Sequence, residues 1–236
     1  MTAAAFAFGG SKEVTYGLDG HIKTLNADHL TRPRFIPHHT KTVTGLAAHP
    51  SGRLVTSSSD DGRVILWDAG TGFGVGTIGG LAQCHVGGTH AVVFSADGQL
   101  LACGSEEDSD LIWKTDKGSN PWRRQRDHTK RVMLLTFGLE GNVMASGSLD
   151  FTIRIWNTST GVTVCTWNLN IWDRFEHTVP DKLRFADGDR TLEMKGRDGN
   201  KRVWTLIQDP SNSPPGNTIR VMDFPSPDSL PEQGWP

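Results

Sequence analysis

The chain has 236 residues, 36% of them hydrophobic, and a formal net charge of −2 with acids and bases mixed along its length. That supplies a core for one large domain or two small ones and leaves no basic footprint for nucleic acid. Three widely separated cysteines, Cys84, Cys103 and Cys165, fit a reducing compartment better than a disulfide framework, and no apolar run approaches the roughly 18 residues that a bilayer span requires.

The opening MTAAAFAFGG lacks a basic n-region and does not read as a signal peptide. From there the chain is a succession of short runs of β-branched and aromatic residues bounded by glycine-rich turns, the pattern of an all-β protein. TYGLDGHIKTLN carries Asp19 at a turn, and RPRFIPHH follows it as a further strand. SSSDDGRVILWD places Asp61 six residues before Trp67 and leads into GVGTIGG. ACGSEEDSDLIW repeats the interval with Glu107 and Trp113, followed by PWRRQRDH, whose Pro121, Arg123, Arg124 and Arg126 suit a protected edge strand. The stretch from His128 to Asn157 is the best-preserved copy: strands VMLLTF, VMASGS and TIRIW, a tight turn at Leu149-Asp150-Phe151, and Trp156 six residues after Asp150. VTVCTWNL follows, and KGRDGNKRVW supplies the last copy with Asp198 and Trp204.

The turn acids fall at 19, 61, 107, 150 and 198, spaced by 42, 46, 43 and 48 residues. Thirteen residues before them stand Phe6, Ala48, Phe94, Phe137 and Phe185; four before them stand Thr15, Ser57, Cys103, Ser146 and Met194. His39, His85 and His128 each precede a first strand by four residues, and His177 stands near the equivalent place. Five units of this length, each a sheet that buries its faces only against copies of itself, predict a repeat architecture.

These residues resemble the WD-repeat family over roughly residues 3 to 207. The resemblance implies an all-β, WD-repeat β-propeller with about five four-stranded blades, at approximately 1–38, 39–84, 85–127, 128–176 and 177–207. It also implies a hydrogen-bonded tetrad in each complete blade, here His39, Ser57, Asp61 and Trp67, and again His128, Ser146, Asp150 and Trp156. The fifth unit keeps Asp198 and Trp204 but has Met194 in the hydroxyl place; the third has Cys103 and Glu107, and the first has neither the His nor the Trp. Family propellers usually close with seven blades, so five leave three readings, a five-bladed ring, an open fragment of a larger propeller, or closure by self-association, of which the incomplete, open fragment is the expectation. The tail 208–236 holds seven of the twelve prolines and is expected to be mostly disordered or a partial extra strand; within it TIRVMDFPSPDS reads as the first strand and turn of a sixth blade.

The stretch from Thr15 to Asp68 is similar to the join between the two propellers of the actin-interacting protein 1 family, with His39, Lys41, Thr44, Leu46, His49, Asp61, Gly62 and Trp67 fitting. That likeness implies actin and cofilin as partners and a cytoplasmic, cytoskeletal location. No GxSxG, HExxH, Walker loop or dinucleotide fingerprint occurs. Cys84, His85 and His90 lack a fourth ligand for zinc, so neither metal nor cofactor is expected. The reading is a non-catalytic protein-binding scaffold that engages neither nucleic acid nor membrane. Lys41, Asp60, Lys130, Arg131 and Phe151 are its candidate partner-binding residues on one rim. A propeller-based hydrolase or lyase, or an adaptor subunit of another complex, are the alternatives.

Overall fold

A computed structural model describes the backbone at 3–7, 13–18, 21–26, 29–37, 39–69, 71, 73–78, 88–105, 110–115, 123–125, 127–169, 180–196, 199, 201–208 and 219–222, with side-chain detail from residue 39 onward. Among the described residues every regular element is a β-strand, and the strands form five four-stranded antiparallel sheets, each following chain order. The first holds β1 (Ala3–Ala7), β2 (Glu13–Leu18), β3 (His21–Asn26) and β4 (His29–Pro37). The second holds β5 (Val43–Ala48), β6 (Leu54–Ser59), β7 (Val64–Asp68) and β8 (Gly74–Ile78). The third runs through β9 (Thr89–Phe94), β10 (Leu100–Ser105), β11 (Asp110–Lys114) and β12 (Arg123–Gln125), and the fourth through β13 (Val132–Phe137), β14 (Val143–Ser148), β15 (Thr152–Asn157) and β16 (Thr163–Asn168). The fifth has β17 (Pro180–Ala186), β18 (Thr191–Gly196), β19 (Lys201–Gln208) and β20 (Ile219–Met222).

The first strand of each sheet packs on the first strand of the next: β1 on β5, β5 on β9, β9 on β13, and β13 on β17. Contact of that extent does not join β17 to β1 among the described residues, so the five blades form an open arc. Beyond the clusters within the second blade, the core lies between blades. Val64 of the second blade meets Phe94, Leu101 and Cys103 of the third. Ala102 and Ile112 of the third meet Phe137, Met144 and Trp156 of the fourth, and Ala145, Ile153 and Ile155 of the fourth meet Leu192, Met194 and Trp204 of the fifth. A middle strand such as β10 is therefore buried along its whole length, which explains its unbroken apolar and small-residue run.

Two features of register were not visible in the spacing. In blades two to five the residue six before the turn acid pairs with the Trp: Val55 with Trp67, Leu101 with Trp113, Met144 with Trp156, Leu192 with Trp204. In the first blade Leu18 already pairs with His21, and Val14 with Leu25. With that register Leu25 is out of step with the tryptophans. The segment Ile219–Met222 is not the first strand of a sixth blade. It pairs with β19 as the outermost strand of the fifth.

An irregularity recurs at the start of four inner strands. Pairing steps from Val43 to Gly45, from Thr89 to Ala91, from Val132 to Leu134 and from Pro180 to Lys182. Thr44, His90, Met133 and Asp181 are left as the extra residues of β-bulges, which bend the strand and re-aim the extra side chain.

Candidate interaction rim

The turns entering each first strand and the turns between second and third strands lie at one end of the arc. In the second blade His39 precedes β5, and Asp61 sits in the turn between β6 and β7. The Trp67 indole N–H donates to Ser57 Oγ at 2.8 Å. Ser57 Oγ lies 2.7 Å from His39 Nε2, and His39 Nδ1 lies 3.0 Å from Asp61 Oδ2. Asp61 also accepts from the backbone N–H groups of Thr40 and Arg63, each at 2.9 Å. Each member then has a partner if the imidazole carries its proton on Nδ1: indole to hydroxyl, hydroxyl to Nε2, Nδ1–H to carboxylate.

The fourth blade repeats this. Trp156 donates to Ser146 Oγ at 2.7 Å, Ser146 Oγ is 2.7 Å from His128 Nε2, and His128 Nδ1 is 3.0 Å from Asp150 Oδ2. Thr129 N–H, Thr152 N–H and the Thr152 hydroxyl add 3.0, 2.8 and 2.6 Å bonds to the same carboxylate. Burial alone would raise the Asp150 pKa, but the hydrogen bonds from His128, Thr152 and Thr129 outweigh it and hold the carboxyl well below the usual range. Asp61 is lowered in the same way: burial raises it, while the Thr40 and Arg63 N–H groups and His39 prevail. Both sites tie the rim turn to the sheet beneath it.

Trp204 joins no such chain. Met194 lacks a hydroxyl, and the Trp204 ring instead stacks on Trp167 of the fourth blade with centroids 5.0 Å apart. Asp198, the other residue expected in that tetrad, lies outside the described residues, as do Cys84, His85, Glu107 and His177.

The candidate partner-binding residues fall into two contacts and one outlier. Lys130 is exposed, and its Nζ stands 5.8 Å from the centroid of the Phe151 ring, a cation–π arrangement. Asp60 follows β6, and its Oδ1 is 3.8 Å from His90 Nδ1; Arg131, before β13, is near enough for its charge to act on the same imidazole. Lys41 is exposed at this end of the second blade, in the place that Lys130 holds in the fourth. The Ser59 hydroxyl donates to the Lys41 carbonyl as Ser148 does to that of Lys130.

Sequence reasoning missed two things about this rim. Phe151 has φ 62°, where the second and fifth blades place Gly62 at 80° and Gly199 at 85°. A left-handed backbone is ordinary for glycine and costly for an aromatic residue. The ring is half-buried against the core shared by the fourth and fifth blades. His90 was visible only as a would-be metal ligand; the signal that could have found it is its place as second residue of a first strand, beside Thr44, Met133 and Asp181 in the other blades.

The WD domain, G-beta repeat family model (WD40) matches residues 31–68 and 120–157, the two segments that contain the complete hydrogen-bond chains. COMPASS component SWD3 of Saccharomyces cerevisiae is 26% identical over 200 residues, covering 82% of this chain and 60% of that protein. Telomerase protein component 1 of Mus musculus is 25% identical over 189 residues, covering 79% of this chain and 7% of that protein. A chain in the crystal structure of a mitotic checkpoint complex superposes with a TM-score of 0.74 at 21% identity, covering 96% of this chain and 67% of its own. The chain thus spans less than two thirds of the length of either relative. The expected cytoplasmic and cytoskeletal location is corrected by them: a COMPASS component and a telomerase component point to the nucleus instead.

Proposed function

Because this chain folds as a WD-repeat β-propeller, we propose that it is a non-catalytic scaffold that binds protein partners through the rim carrying Lys41, Asp60, Lys130, Arg131 and Phe151. Relatives named as components of COMPASS and telomerase support the scaffold class. The histidines and carboxylates most suggestive of acid–base chemistry, His39, Asp61, His128 and Asp150, are occupied in hydrogen-bond chains to Ser and Trp, which supports a binding role over turnover.

The observation that carries the rim is Phe151 held in a left-handed conformation where the second and fifth blades have glycine. Strain of this kind costs on the order of 1–3 kcal/mol and persists where the side chain is needed. With Lys130 over its ring, Phe151 presents an aromatic and a cation side by side, a pairing suited to an interface anchor. Affinity capture from nuclear extract tests this, comparing the wild-type chain with Phe151→Gly and Arg131→Glu. A protein retained by the wild type and lost from both folded variants supports the rim; an unchanged set of captured proteins overturns it.

The finer reading, actin filaments acting with cofilin, is supported by the resemblance of residues 15–68, of the unit HTKRV…ASGSLDFTIRIW and of the closing GRDGNKRVWTL. Cosedimentation with filaments, with and without cofilin, tests it, and absence of the chain from the pellet in both conditions overturns it.

A further inference from the structure

The fifth blade ends the arc, and the face it turns away from the fourth is basic. Leu183, Phe185, Leu192, Met194 and Trp204 point into the core shared with the fourth blade. Side chains alternate along a strand, so Lys182, Arg184, Glu193, Lys195 and Lys201 lie on the opposite face. Register sets Lys182 directly opposite Lys195, and Lys195 directly opposite Lys201. Three lysines, each partly exposed, thus form one row across β17, β18 and β19. The fourth blade has Leu134, Gly147 and Ile153 in that row, and the second has Gly45, Ser58 and Val64. Like charges directly opposite one another on a sheet destabilise it. Arg184 adds a fourth cation, and Glu193 already serves two of the four, with Arg184 at 2.7 Å and Lys201 at 3.0 Å. Solubility needs only polarity, which mixed signs supply without repulsion. A row of lysines calls for an anion.

The chain itself carries one. Residues 223–236, DFPSPDSLPEQGWP, contain Asp223, Asp228 and Glu232 and neither lysine nor arginine. They follow directly on β20, the outermost strand of the same sheet. Ile219 pairs with Gln208 and Met222 with Thr205, so β20 runs back along β19 toward Lys201. The strand from Thr205 to Lys201 covers about 13 Å. Pro225, Pro227, Pro231 and Pro236 cannot donate to a ladder, which disfavours a continued β20 and favours an extended path of about 3.1 Å per residue. On such a path Asp228 has about 19 Å of chain beyond Met222 with which to reach the row. From Asp228 to Glu232 is about 12 Å of chain, against about 10 Å across the three strands from Lys201 to Lys182.

We propose that the lysine row of the fifth blade is the docking site for this acidic segment of the same chain, with Asp228 over Lys201 and Lys195 and Glu232 toward Lys182. The docked segment neutralises the row and covers the open end of the arc. Lysine suits the role, because its ammonium is a point charge on a flexible stem and pairs with a carboxylate without demanding a fixed orientation. An outside anion meets the row only by displacing the segment.

The test is zero-length carbodiimide cross-linking of the full chain, with the monomer band digested and read by mass spectrometry. Amide links from Asp228 or Glu232 to Lys182, Lys195 or Lys201 are expected, and they should weaken at high salt. The Glu193–Lys201 pair, at 3.0 Å, is the positive control. Links from the segment that reach Lys41 and Lys130 as often as the row overturn the proposal, as does the control link alone. Acylation of Lys195 by a soluble ester is the second measurement. In the double variant Asp228→Asn, Glu232→Gln, Lys195 should react about fivefold faster than in the wild type, the worth of two exposed ion pairs, while Lys41 reacts at one rate in both. An unchanged Lys195 rate overturns the proposal. So does a row that forms no links to the segment yet is protected by a short DNA duplex, which assigns the face to nucleic acid.

Discussion

The indole N–H of Trp156 donates to the hydroxyl of Ser146 across 2.7 Å, and that hydroxyl is also 2.7 Å from His128 Nε2. One oxygen therefore serves two buried groups at once. Removing it as Ser146→Ala leaves an indole N–H and an imidazole nitrogen without partners where water cannot replace it. A buried polar group left unpaired costs about 1–3 kcal/mol, so the loss in unfolding free energy is expected to be about 2–4 kcal/mol. Ser57→Ala, which cuts the same chain in the second blade, should cost a similar amount. Urea unfolding of each variant measures this, and a loss within error of zero would mean that the chains are ornamental to stability.

The carboxyl ends of these chains predict an acid limb. Asp61 and Asp150 bind their protons more weakly in the folded protein than at the ordinary value of 3.8. A carboxyl lowered on folding adds stability at pH above its unfolded value and loses that contribution as pH falls toward its folded one. Stability should hold steady down to about pH 5 and fall below about pH 4 as the unfolded chain takes up protons first. Asp150→Asn should lower stability at neutral pH and flatten the limb below pH 4; melting curves across that range decide it. An acid limb of unchanged slope in Asp150→Asn would assign the loss to other groups.

Phe151 sets a backbone penalty against a contact. At φ 62° a non-glycine residue carries about 1–2 kcal/mol of strain, while burying roughly half a phenylalanine returns about 1 kcal/mol. Phe151→Ala keeps the strain and loses the contact, whereas Phe151→Gly loses both. Phe151→Gly should therefore melt close to wild type and be about 1 kcal/mol more stable than Phe151→Ala, although each lacks the ring that the partner would meet. If the alanine variant is the more stable of the two, strain is not what this position stores.

What the sequence made legible is what spacing controls. Asp61 and Trp67, or Asp150 and Trp156, stand six apart because the turn between second and third strands has a fixed length, and that interval locates the blades, while the Ser and His at their own spacings mark the two that hold complete chains. Legibility ended where geometry depends on the neighbouring chain. Leu25 shares the six-residue spacing from Asp19, yet its strand pairs one step out of register with the tryptophan strands. The φ of Phe151 is imposed by a turn whose sequence does not contain the usual glycine. His90 gained its place from a bulge in β9 and from Asp60 and Arg131 on either side, none of them near it in a motif. The strand Ile219–Met222 reads the same as a first or a fourth strand, because both are short and amphipathic; only its pairing with β19 distinguishes them.

The fifth blade departs from the others on the face it turns away from the fourth. At the paired positions where earlier blades present Thr56 and Leu66, Ala102 and Ile112, or Ala145 and Ile155 to the next blade, it has Glu193 and Val203. Lys201 stands where the fourth blade has Ile153. Arg184 Nε donates to Glu193 Oε2 at 2.7 Å, and Lys201 Nζ lies 3.0 Å from Oε1. Burial would raise the Glu193 pKa, but the hydrogen bonds from Lys201 and Arg184 keep it lowered and the carboxylate charged. Docking of an apolar sheet here would strip water from three charges. The chain should accordingly run as a monomer in light scattering at working concentrations. Substituting the fourth-blade residues together, as Lys182→Leu, Arg184→Thr, Glu193→Ala, Lys195→Gly and Lys201→Ile, removes these charges and leaves an apolar face of blade-to-blade type, so the variant should dimerise or form larger species. A variant that stays monomeric would show that this face is not what limits self-association.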